Sequence, residues 1–299
     1  MIEIERRSLA EELTPAFTVT GPAVPTVPFV FCSPHSGSVY PTALMMATRL
    51  DPAALRKSED CYVDDLFAPV AALGAPLIAA RFPRAYLDVN REPYELDPQL
   101  FAGPLPEFAN TQSARVVGGL GTIARIVADQ EEIYRERLGV DVALERIERL
   151  YFPFHRALGA LLAATRDRFG VAVLVDCHSM PSGAAGSGSS QRPHFVLGDR
   201  FGGSCDARLT RQLRDALGGH GYDVHLNRPY AGGFITENYG RPSAGIHAIQ
   251  IEINRALYLD EATFTRSSGF TRLQANLGRV VHSMVSELAV TATYRAAAE

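Results

Sequence analysis

Two histidines, His35 and His178, stand directly after apolar runs and among residues suited to hydrolysis. His35 follows FVFCS (29–33) and His178 follows VAVLVDC (171–177), and both runs read as short buried strands. Ligands in open α/β sheets gather at the carboxyl ends of strands. By that rule Glu252 in AIQIEIN (248–254) and the pair Asn90-Arg91 after AYLDV (85–89) join the two histidines as candidates. Two imidazoles and a carboxylate form an open zinc site that keeps a position for water. Ser36, Gly37 and Ser38 after His35 make a small-residue turn through which a metal can approach the ring. The remaining histidines, at 155, 194, 220, 225, 247 and 282, read as structural.

The third ligand comes from KSEDCYVDDLF (57–67), which offers Glu59, Asp60, Asp64 and Asp65. Read as a helix, this segment places Asp60 and Asp64 on one face at i, i+4. Asp60 is taken as the ligand, with Asp64 and Glu59 as rivals. An acidic helix start that complements the helix dipole is the competing structural reading. Glu252 lies between Ile251 and Ile253, and a carboxylate buried there needs a partner. It is either an ion-pair partner of Arg255 or another arginine, or a general base with a raised pKa. Arg81, Arg84 and Arg91 in RFPRAYLDVNRE suit two-pronged carboxylate recognition, although surface salt bridges would use the same residues. Asp176-Cys177-His178 supplies half of a D-x-H-x-D binuclear motif, but Met180 occupies the next acidic position. No G-x-S-x-G elbow, Walker loop or G-x-G-x-x-G fingerprint is present.

The elements that must position these residues alternate between strand and helix. FVFCS, PLIAARF (76–82), AYLDV, VAVLVDC, HFVLG (194–198) and AIQIEIN read as strands. Helical patterns cover about 52–73, 129–168 with a break near Pro153 and a stop at Gly170, 204–218, and most of 259–292 with an interruption near Ser267–Gly269. Residues 92–122, rich in Pro and Gly, read as loop, and GAAGSGSS (183–190) as a flexible loop. The alternation predicts a single α/β domain over 1–299 with a mostly parallel sheet.

Composition sets the outer bounds. The 299 residues are 46% hydrophobic and 21% charged, an ordinary globular balance. A net charge of −4 with no basic block argues against a nucleic-acid partner. The start MIEIERRSLAEEL lacks the apolar centre of a signal peptide, and no apolar run could span a bilayer, so a cytoplasmic protein without a membrane partner is expected. Cys32, Cys61, Cys177 and Cys205 form no C-x-x-C pair and read as free buried thiols.

Several segments, in order, resemble the N-formylglutamate amidohydrolases. They are SPHSGSVYP (33–41), EDCYVDDLF (59–67), FPRAYLDVNREPYELDP (82–98), DCHSMP (176–181), HFVLGDRFGGSCD (194–206), NRPYAGGFITENYG (227–240) and GIHAIQIEINRALYLDE (245–261). That family is similar in turn to the zinc carboxypeptidase and aspartoacylase superfamily. The resemblance implies a three-layer α/β/α fold with a mixed, largely parallel sheet. It implies one divalent metal, Zn2+ for preference, on His35, Asp60 and His178. The carboxypeptidase pattern puts its acidic ligand three residues after the first histidine, where this chain has Ser38, so the D-x-x-V-D segment supplies the acid through Asp60. Glu252 matches the catalytic glutamate, Arg84 the oxyanion-stabilising arginine, and Asn90-Arg91 the pair that binds the substrate α-carboxylate.

The implied reaction is hydrolysis of N-formyl-L-glutamate, a small dicarboxylate amide, to formate and L-glutamate, a step of histidine degradation. Arg192, Arg228 and Arg241 are candidates for the side-chain carboxylate, and GAAGSGSS and YAGGF for closing loops. The alternatives are a related deacylase of another N-acyl amino acid and a non-catalytic small-molecule-binding homologue. The homo-oligomeric state is left open.

Overall fold

The computed structural model describes residues 2–127, 130–183 and 193–296, and side chains up to 287. Seven strands form a mixed sheet: β1 (Phe17–Thr20), β2 (Phe29–Ser33), β3 (Leu77–Ala80), β6 (Ala172–Met180), β7 (Phe195–Gly198), β8 (Val224–Leu226) and β9 (Ile246–Asn254). Their order is β1-β3-β2-β6-β9-β7-β8. Strands β2, β6 and β9 are mutually parallel, β7 is antiparallel to β9, and β8 is parallel to β7. Two small ladders complete the β structure, β4 (Phe101–Ala102) with β5 (Leu138–Gly139) and β10 (Leu259–Asp260) with β11 (Thr265–Arg266). The expected mixed, largely parallel α/β sheet is what the chain forms.

The chain divides into two compact units. One comprises Met1–Thr18, Pro34–Cys61 and Ile78–Gly159, the other Val19–Ser33, Tyr62–Leu77 and Ala160–Glu299. Within the first lie α1 (Ile2–Arg7), α2 (Thr42–Ala47), α3 (Pro52–Arg56), α5 (Ala114–Val117), α6 (Val140–Arg146) and the start of α7 (Phe152–Phe169), whose longer remainder falls in the second. The second holds α4 (Val63–Phe67), α8 (Ala207–Gly219), α9 (Phe234–Tyr239) and α10 (Phe270–Ala296).

In the second unit the period-two alternation of strands sorts the sheet into two chemically different faces. Val173 and Val175 of β6 pair in register with Phe29 and Phe31 of β2, and Val175 and Cys177 with Ile249 and Ile251 of β9. This apolar face meets Leu209, Leu213 and Leu217 of α8 and Leu277, Val280, Val281 and Met284 of α10 around a void of about 30 Å³. Each such Leu, Ile or Val contributes roughly 1.5–3 kcal/mol over leaving it in water, so this face anchors the unit. The opposite face of the same strands carries Asp176 and His178, in register with Gln250 and Glu252.

Several expected elements differ. AYLDV forms no strand: the Pro83 carbonyl accepts hydrogen bonds from Tyr86 and Leu87, so residues 83–90 are successive turns. The helix expected over 52–73 breaks between α3 and α4, where Tyr62 has φ +60°. Helix starts at Val140 and not near 129, because Leu138–Gly139 pairs with β4. Pro153 does not break that helix. A π turn over Ile147–Tyr151 precedes it, and the wider register accommodates a residue that lacks an N–H. Helix α10 begins at Phe270 because Leu259–Arg266 folds as the β10–β11 hairpin. Gly170 ends α7 with φ +72°, as its position suggests.

All four cysteines are free and buried. No helix among the described residues is long and apolar enough to cross a membrane. The GAAGSGSS loop beyond Gly183, and Arg192, lie outside the described residues.

Candidate active site

His35 sits two residues past β2 in an extended segment held by backbone contacts. Its carbonyl accepts the Asp60 N–H at 3.0 Å, and Val39 N–H donates to the Arg81 carbonyl at 2.9 Å. Gly37 is needed here for a reason other than metal access. A Cβ at that position would lie 2.2 Å from the Phe82 carbonyl oxygen, so only glycine lets the two segments approach.

The two nitrogens of His35 face different carboxylates. Nε2 lies 2.7 Å from Asp88 Oδ1, and Nδ1 lies 3.5 Å from Asp60 Oδ2, all three residues being buried. Asp88 also accepts the Asn90 N–H at 2.8 Å on Oδ1 and the Arg84 guanidinium at 2.7 Å on Oδ2, with the Arg91 guanidinium 3.5 Å away. Burial pushes the Asp88 carboxyl up, but Arg84, Arg91 and His35 outweigh it and hold the group well below the usual carboxylate range. An ionised Asp88 accepts a hydrogen bond from His35 Nε2–H, which leaves the lone pair on Nδ1, on the Asp60 side.

Asp60 occupies the connection between α3 and α4 and not a helix, so it shares no helical face with Asp64. The rival Glu59 holds a structural place, with Arg56 at 3.2 Å and the Tyr40 hydroxyl at 2.9 Å on its carboxylate. Asp64 lies half-buried in the first turn of α4.

Strand β6 brings His178 into register with Glu252 on β9. Two residues earlier on the same face, Asp176 Oδ1 lies 2.9 Å from His178 Nε2, and Asp176 Oδ2 accepts the Thr236 hydroxyl at 3.2 Å. Glu252 is buried and takes a hydrogen bond from Gln250 Nε2 at 2.8 Å on Oε1. His35 and Asp60 lie side by side in the first unit, and His178 is buried on β6 in the second. Imidazoles and a buried carboxylate are the kind of donors that hold a divalent metal, and the hydrogen bond from His35 Nε2 to Asp88 is the kind of support such ligands receive.

A cavity of about 390 Å³ is lined by Arg84, Asp88, Arg91, Leu120, Gly121 and Ser58, among others. Arg91 is buried, its Nε bonded to the Leu120 carbonyl at 2.9 Å and its Nη1 to the Asn90 carbonyl at 2.8 Å. Its pKa falls to about 10, chiefly through burial and also through the charges of Arg84 and Arg115, against the pull of Asp88 and Glu95. A cavity of this size with excess guanidinium charge suits a small anionic ligand.

The structure does not bring every candidate together. Arg228 is exposed beyond β8. Arg241 bonds to the Glu237 and Gly240 carbonyls and bridges to Ile246, at the opposite end of β9 from Glu252. Six residues of strand, about 20 Å, separate the two positions. Asp88, Asp176 and Gln250 were not selected from sequence for the parts they play. The available signals were an aspartate four residues after Arg84 and three before Arg91, and polar residues two before His178 and Glu252 on one strand face.

An α/β sheet whose polar face carries Asp176, His178, Gln250 and Glu252 is a scaffold of the kind on which hydrolytic enzymes are built. The sequence model of the N-formylglutamate amidohydrolase family matches residues 27–259, and the chain belongs to that family. A crystal structure of N-formylglutamate amidohydrolase from Ralstonia eutropha is 35% identical, with a TM-score of 0.84 over 93% of this chain and 98% of that one. N-formylglutamate deformylase of Pseudomonas aeruginosa is 28% identical over 88% of this chain and 91% of its own length. The deformylase of Pseudomonas putida is 29% identical over 79% and 83%.

Proposed function

We propose that this chain is a metal-dependent hydrolase that cleaves N-formyl-L-glutamate to formate and L-glutamate, acting in the cytoplasm as one catalytic domain. Family membership supports the reaction and its substrate. The single observation that supports the metal dependence is the buried pair His35 and Asp60, with Asp60 Oδ2 3.5 Å from His35 Nδ1 while Asp88 takes up Nε2; His178, buried on β6, would add the second imidazole. Zinc fits best, since two nitrogens and one carboxylate oxygen leave an open fourth position. Such a metal, when bound, supplies Lewis acidity and makes water a nucleophile near neutral pH.

The chain's own groups then divide the work. Asp88 holds the His35 imidazole by Nε2, as partners behind metal-binding histidines do, and Asp176 brings a negative charge 2.9 Å from His178 Nε2. Glu252 takes the proton of the attacking water as it adds to the formyl carbon. The same carboxyl then passes that proton to the amine as the C–N bond breaks, so one water is consumed and the two products leave. Arg84, partly open to solvent and already polarised by Asp88, donates to the developing oxyanion. Asn90 and Arg91 receive the α-carboxylate next to the scissile amide, and the surplus of positive charge in the neighbouring cavity favours a doubly anionic substrate.

The test replaces Glu252 by Gln. Metal content by atomic emission should stay at one ion per chain, while kcat on N-formyl-L-glutamate drops about 10²–10⁴-fold. Near-normal turnover in that variant would remove Glu252 from the chemistry.

A further inference from the structure

Glu252 is held by a neighbour whose orientation can be fixed without seeing a hydrogen atom. Gln250, buried on the same face of β9, accepts the Gly233 N–H on Oε1 at 2.7 Å and donates from Nε2 to Glu252 Oε1 at 2.8 Å. A backbone N–H can only donate, so the amide oxygen must face Gly233 and the NH2 must face Glu252. The side-chain amide thus has one arrangement, and a carboxylate in its place would offer Glu252 an acceptor where it now meets a donor.

The anchor of this relay is itself fixed. Ala231 and Gly232 run so close to the end of β7 that a Cβ on Gly198 would fall 2.6 Å from their backbone atoms. Arg200 ties the same segment down, its N–H donating to the Ala231 carbonyl at 2.8 Å and its guanidinium pairing with Glu237 at 2.8 Å. Three residues after Gly233, Thr236 donates to Asp176, the carboxylate behind His178. One short segment, Ala231–Thr236, therefore reaches both the metal-binding side and the proton-transfer side of the face.

We infer that Gln250 is a positioning residue for the hydrolysis: it hands the rigidity of the Ala231–Gly233 backbone to Glu252 through the hydrogen bond to Oε1 and so fixes the orientation of the carboxylate. This rests on the reading of Glu252 as the general base, and the experiment separates the two. Gln250→Met removes both hydrogen bonds at similar volume. Gln250→Glu keeps the acceptor for Gly233 and removes the donor to Glu252. Each is made alone and together with Glu252→Gln, and kcat, KM, metal content and Tm are measured on the full chain.

Both single variants should lose about 10–100-fold in kcat, the range seen when a residue behind a working ligand is lost, with KM within about threefold and metal retained. In the Glu252→Gln background neither should cost anything more, because the partner through which Gln250 acts is gone. Losses that multiply in full in the double variants, or single variants with unchanged kcat, would overturn the relay. If Gln250→Met does not fold, Gln250→Glu decides alone, since it preserves the backbone anchor. Glu252→Gln with wild-type kcat is a different failure, one that strikes the general-base reading itself.

Discussion

At the scale of single residues, the site is a set of carboxylates whose neighbours dictate their roles. Asp60 faces His35 from the Nδ1 side, Asp88 from the Nε2 side, and only Asp88 is surrounded by guanidinium groups. Asp88 is therefore committed to orienting the ring and to holding Arg84 and Arg91, while Asp60 serves the proposed metal. Asp88→Asn keeps the shape but weakens the acceptor for His35 Nε2–H and for both arginines. Metal affinity, read by competition with a chelator, should fall about 10–100-fold, while the same substitution at exposed Asp215 should leave it unchanged. The placement of His35, His178 and Glu252 in or just after buried strands was legible in the sequence because each ends or interrupts an apolar run. Asp88 was not, because its meaning lies in what converges on it from positions 35, 84 and 91.

At the scale of elements, legibility followed how far burial was one-sided. Strands β6 and β9 alternate between an apolar face under α8 and α10 and a polar face that carries the site, so their pattern could be read directly. Residues 85–89 are buried on every side, and a turn buried throughout can imitate an alternating strand. The break between α3 and α4 carries no Gly or Pro, only Tyr62 in a left-handed conformation, so nothing in composition announces it. The helix expected from 204 starts at Ala207, where Asp206 opens α8 by accepting the Arg208 N–H at 2.8 Å.

Hydrogen bonds from the Arg208 side chain and backbone lower the Asp206 pKa to about 2. A depressed carboxylate stabilises above its unfolded value, about 4, and that contribution fades as pH falls toward 2. Asp206→Ala should accordingly cost about 1 kcal/mol in urea unfolding at neutral pH. The difference from wild type should shrink in titrations below about pH 4.

At the scale of the whole molecule, a buried ion pair links parts of the chain that sequence inspection treats as unrelated. Arg146, fully buried on α6, is bidentate to Glu5 of α1 at 2.7 and 3.1 Å. It also donates to the Tyr86 carbonyl at 3.0 Å and the Tyr134 hydroxyl at 2.9 Å, with its guanidinium 3.8 Å from the Tyr86 ring centre. The Tyr86 hydroxyl returns to Glu5. Nothing in spacing joins residue 5 to residue 146, and neither was a candidate for anything. Removing one member of such a pair strands the other's charge, so Glu5→Ala should lower unfolding free energy by about 3–5 kcal/mol in denaturant titration.

The match to the family's sequence model begins at residue 27, well after Glu5. A recombinant fragment trimmed to that shared region would keep every proposed site residue. It would still bury an uncompensated guanidinium against the turn that carries Arg84 and Asp88. For anyone choosing where to cut or tag this protein, the first helix counts as scaffolding for the turn that carries Arg84 and Asp88, and the bounds of the family match are the wrong guide.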